Sequence, residues 1–90
     1  MPVEMYDDAW RNDEHRTVAK PRHVRLRISW PEELQEDPRS LEFVLDFQSR
    51  MPESADWVLI GAYATLMEAR RAAEDYLDKP IAADLWVAAT

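Results

Sequence analysis

Apolar and polar residues alternate strictly over residues 23–30. Val24, Leu26, Ile28 and Trp30 fall on one side, and His23, Arg25, Arg27 and Ser29 on the other. A two-residue period of this length is what a strand with one buried face requires. Pro31 ends it, because proline cannot donate to a ladder. The alternation returns over residues 41–48, with Leu41, Phe43, Leu45 and Phe47 inward and Glu42, Val44, Asp46 and Gln48 outward. Residues 31–38, PEELQEDP, read as a loop with room for one helical turn after Pro31. Antiparallel pairing of the two strands puts Arg25 and Arg27 on the same outer face as Glu42 and Asp46. Opposite charges across a ladder contribute roughly 0.2–1 kcal/mol each.

A third run, residues 57–64, is apolar on both faces, with Trp57, Leu59 and Tyr63 on one and Val58 and Ile60 on the other. That predicts a central strand, or one whose second face is covered. Residues 49–56, with Pro52, connect it to the second strand. Thr65-Leu66-Met67-Glu68 has the form of a capping box, which predicts a helix running to about Asp78. Leu66, Ala69, Ala73, Tyr76 and Leu77 make its buried stripe, and Arg71 and Asp75 an i,i+4 pair on the solvent side. Lys79-Pro80 stops it. Residues 81–87 predict a fourth strand, with Leu85 and Val87 opposite Trp86. It lies either parallel to the third through a right-handed crossover or antiparallel at an edge.

The N-terminal 22 residues follow neither pattern. Met5, Tyr6, Ala9 and Trp10 stand at helical spacing with Asp7 and Asp8 opposite. They read either as one amphipathic turn docked on the domain or as a tail that orders on a partner. The expected organisation is thus an N-terminal tail, 1–22, and a single α+β domain, 23–90. Its fold is a mostly antiparallel four-stranded sheet, β-β-β-α-β, with one helix packed on one face.

Charge changes this picture most. The chain carries 18 Asp+Glu against 11 Lys+Arg, a net charge of -7. Its basic residues cluster, however: Arg16, Lys20, Arg22, Arg25 and Arg27 follow one another with no acid between them. A small acidic domain repels polyanions and attracts basic surfaces. There is no Cys, which removes disulfides and thiolate chemistry and fits a reducing compartment. Gly61 is the one glycine, so a glycine-rich phosphate loop cannot be built. The N-terminus lacks the apolar run of a secretory leader, and no stretch approaches the roughly 20 apolar residues of a membrane helix. The expected address is the cytoplasm, with no membrane partner.

Catalytic chemistry finds little footing. His15 and His23 have no metal-ligand spacing. The acidic neighbours Asp7-Asp8, Glu32-Glu33, Glu36-Asp37 and Glu74-Asp75 each share one solvated environment, whereas acid/base pairs need environments that split their pKa values. Ser29, Ser40, Ser49 and Ser54 have no base at motif spacing. No enzymatic activity, cofactor or metal is expected.

The expectation is a protein-binding module. Acidic groups on a rigid fold imitate the spacing of phosphates and can occupy a basic nucleic-acid-binding surface of a partner protein. The candidates are Asp7, Asp8, Asp13 and Glu14 in the tail and Glu32, Glu33, Glu36 and Asp37 in the loop. Many phage-encoded inhibitors of host defence, of anti-CRISPR or anti-restriction type, are small, acidic, cysteine-free domains. The likeness is one of kind, and no motif assigns a family. The alternative is a small nucleic-acid-binding or regulatory domain using Arg22, Arg25 and Arg27. Net charge opposes it, and Trp30, Phe43 and Phe47 lie on the apolar face rather than beside those arginines. A homodimer through the sheet face is a further expectation, if that face exposes Val44, Val58 and Ile60.

Overall fold

A computed structural model describes residues 2–7, 24–31, 41–49 and 56–88. They form an α+β fold: a five-stranded sheet, antiparallel throughout, with one helix on one face. The strands are β1 (Val3–Asp7), β2 (Val24–Ser29), β3 (Phe43–Ser49), β4 (Val58–Tyr63) and β5 (Val87–Ala88). Their spatial order is β4-β3-β2-β1-β5, and helix α1 (Leu66–Leu77) carries the chain from one edge to the other.

The two alternating strands form as their period requires. Val24, Leu26 and Ile28 of β2 and Leu45 of β3 are fully buried, with Phe43 nearly so. Leu41 is a correction: it lies before β3 and is 57% exposed, because the ladder starts only at Phe43. On the core side Trp30 meets Phe43 at 5.3 Å between ring centroids, and Phe47 meets Tyr76 of α1 at 5.0 Å. Half-buried there, the Tyr76 phenol is pushed above its ordinary pKa by desolvation.

The sheet has five strands rather than four because Val3–Asp7 is a strand and not a helical turn. Five residues are too few for a helical spacing to exclude a strand, and here the sheet supplies the partners. β1 pairs with β2 from Val3↔Ser29 to Asp7↔Arg25, and with β5 on its other side. Tyr6, opposite Leu26, is 3% exposed and stands 5.8 Å from the Trp86 ring. Ala9 and Trp10 lie outside the described residues, as does the loop 32–40.

The third predicted strand is an edge and not a centre. β4 pairs with β3 alone and carries a bulge: Leu45 faces Gly61, but Asp46 faces Leu59, so Ile60 is the extra residue. The bulge breaks the alternation read from sequence. Tyr63 falls opposite Phe43 on the helix side, while Leu59 falls opposite Asp46 on the outer side. Tyr63 folds back over Gly61, where a Cβ would stand 2.7 Å from the phenol oxygen. A side chain at position 61 would have to push that ring aside.

Helix α1 begins as its capping box predicts, with the Glu68 N–H donating to Thr65 Oγ at 3.1 Å. Ala69, Ala73 and Leu77 are buried, and Leu66, Ala72 and Tyr76 pack beside them. The alanines let the helix lie close on β2, β3 and β4. Asp78 ends it at φ 62°, and the Lys79 N–H donates to the Glu74 carbonyl at 3.2 Å, closing a Schellman turn. The Glu74 carboxylate accepts the Ile81 N–H at 2.7 Å and directs the chain back to the sheet. The predicted fourth strand shortens to β5, because a 3₁₀ turn takes Ala83–Leu85. It lies antiparallel to β1 at the edge opposite β4.

Candidate functional site

The sheet's two faces differ in kind. The helix side is the core, and Glu4 and Arg70 form an ion pair there. Glu4 sits opposite Ile28 on that side, and Arg70 lies within the helix stripe that faces the sheet. Arg70 Nε donates to Glu4 Oε2 at 2.9 Å while its second nitrogen takes Oε1, a fork across two layers. The same carboxylate raises the Arg70 pKa above its ordinary value. Positions 66, 69, 70, 73 and 77 share one helical face, and an arginine among them needs an acid across the interface. That signal was present in the sequence, but β1, which supplies the acid, was not recognised as a strand.

The outer side of the sheet carries the described members of the basic stretch. Arg27 pairs across the ladder with Asp46, Nε to Oδ1 at 3.0 Å with a second nitrogen on Oδ2. Its guanidinium also stacks on the Trp57 ring, 4.1 Å from the centroid. Arg25 stands opposite Asp7 of β1, Nε to Oδ2 at 3.3 Å. Of the charges expected on one outer face, Arg25, Arg27, Glu42 and Asp46, Arg27 and Asp46 pair with each other. Arg25 takes its acid from β1, since that strand lies beside it. Trp57 as the platform under Arg27 was not foreseen; its outward place follows from the bulge.

These contacts change the meaning of the sequence candidates. Asp7, one of the acidic candidates, is in an ion pair, and Arg25 and Arg27 are each held by a carboxylate. Asp8, Asp13, Glu14, Glu32, Glu33, Glu36 and Asp37, together with Arg22, lie outside the described residues. Outside the three ion pairs, the described acids are Glu42, Asp56, Glu68, Glu74, Asp75, Asp78 and Asp84. The described bases outside them are Arg71 and Lys79. Glu68, Asp75 and Asp78 are exposed along or just beyond the solvent side of α1, a run the sequence reading did not single out.

Of the apolar residues expected on the outer face, Val44 is there, opposite Ala62. Val58 is not: it pairs with Phe47 on the helix side, and Ile60 packs against the core. In their place the bulge and the added strands bring Leu59, Met5 and Val87 outward. Among the described residues no group of His, Cys, Asp and Glu could hold a metal ion, and no helix is long and apolar enough to cross a membrane. No protein-family model, curated protein or solved structure matches the chain.

Proposed function

We propose that the chain is a non-enzymatic acidic binding module that occupies a basic, nucleic-acid-binding surface of a partner protein by mimicking nucleic acid. One observation carries this reading. The described arginines of the basic stretch are each engaged by a carboxylate of a neighbouring strand, and acid outnumbers base outside those pairs. A phosphate would have to displace Asp7 and Asp46 to reach Arg25 and Arg27. Among the other described residues seven acids stand against two bases, an excess that favours a cationic surface.

Charges fixed on a folded scaffold lose little freedom on binding, and opposite fields speed the encounter. Association is then fast and salt-sensitive. A phage-encoded inhibitor of host defence, anti-CRISPR or anti-restriction, working in the cytoplasm, is the setting this chemistry suits best.

The test is displacement. The chain is titrated into complexes of CRISPR effectors and restriction enzymes with a labelled oligonucleotide. The reading expects release of the oligonucleotide from at least one of them, weakened as salt rises. Reversing Glu32, Glu33, Glu36 and Asp37 to Lys, or Glu68, Asp75 and Asp78 to Lys, should abolish release for whichever group makes the contact. Direct binding of the oligonucleotide by the chain itself, lost on Arg25→Ala with Arg27→Ala, would replace this reading with the nucleic-acid-binding one.

A further inference from the structure

We draw no further inference here: the strongest candidate, the outer face of the sheet between the exposed Leu59 of β4 and the exposed Val87 of β5, carries none, because nothing in the structure shows what covers it.

Discussion

Asp78 holds the left-handed conformation, φ 62° and ψ 32°, that ends α1, and it is the one described non-glycine residue with positive φ. Glycine adopts this conformation without a Cβ penalty, and a carboxylate beside the helix C-terminus opposes the macrodipole. Asp78→Gly should therefore stabilise the protein by about 0.5–1 kcal/mol in urea unfolding. A loss of stability would mean that the carboxylate makes a favourable contact the backbone argument omits. Arg70 presents the opposite case. Its side chain is 33% exposed and that of Glu4 15%, so the pair lies between a surface bridge and a buried one. A double-mutant cycle with Glu4→Gln and Arg70→Met should give a coupling of about 1 kcal/mol. A coupling near zero would show that the layers are held by apolar contact alone.

β1 is the element on which the sheet closes. It lies between β2 and β5, buries Tyr6 against Trp86, and gives Glu4 to the helix and Asp7 to Arg25. Removing residues 1–7 should cost more than about 3 kcal/mol, by analogy with loss of a large buried aromatic and a paired charge, and leave the remainder unfolded. A cooperative unfolding transition in the shortened chain would show that residues 23–90 suffice. The sequence made some of these elements plain and hid others for physical reasons. β2 and β3 are legible because each has one buried and one outer face, which forces a clean alternation. α1 is legible from its cap and its alanine stripe. β4 misleads because a bulge at Ile60 reverses the faces midway, and periodicity carries no sign of it. β1 misleads because it is short and its inward Glu4 looks like a surface residue until Arg70, distant in sequence, answers it. Of the candidate site, the shared outer face of Arg27 and Asp46 could be read from the alternation. The Arg25–Asp7 pair could not, since it depends on a strand that was read as a helical turn.

At the scale of the whole molecule, the internal ion pairs divide the surface by sign. On the outer sheet face Asp7 and Asp46 hold Arg25 and Arg27, while acid outnumbers base among the described residues outside the ion pairs. The net charge of -7 describes no single face. The account depends above all on the preference of the acidic surface for cations, and a paired titration tests it most directly. The labelled chain is titrated with a lysine-rich polypeptide and, separately, with single- and double-stranded DNA, each over rising salt. The account predicts saturable binding to the polycation that weakens steadily as salt screens it, and none to either DNA. Tighter binding to DNA than to the polycation would contradict it.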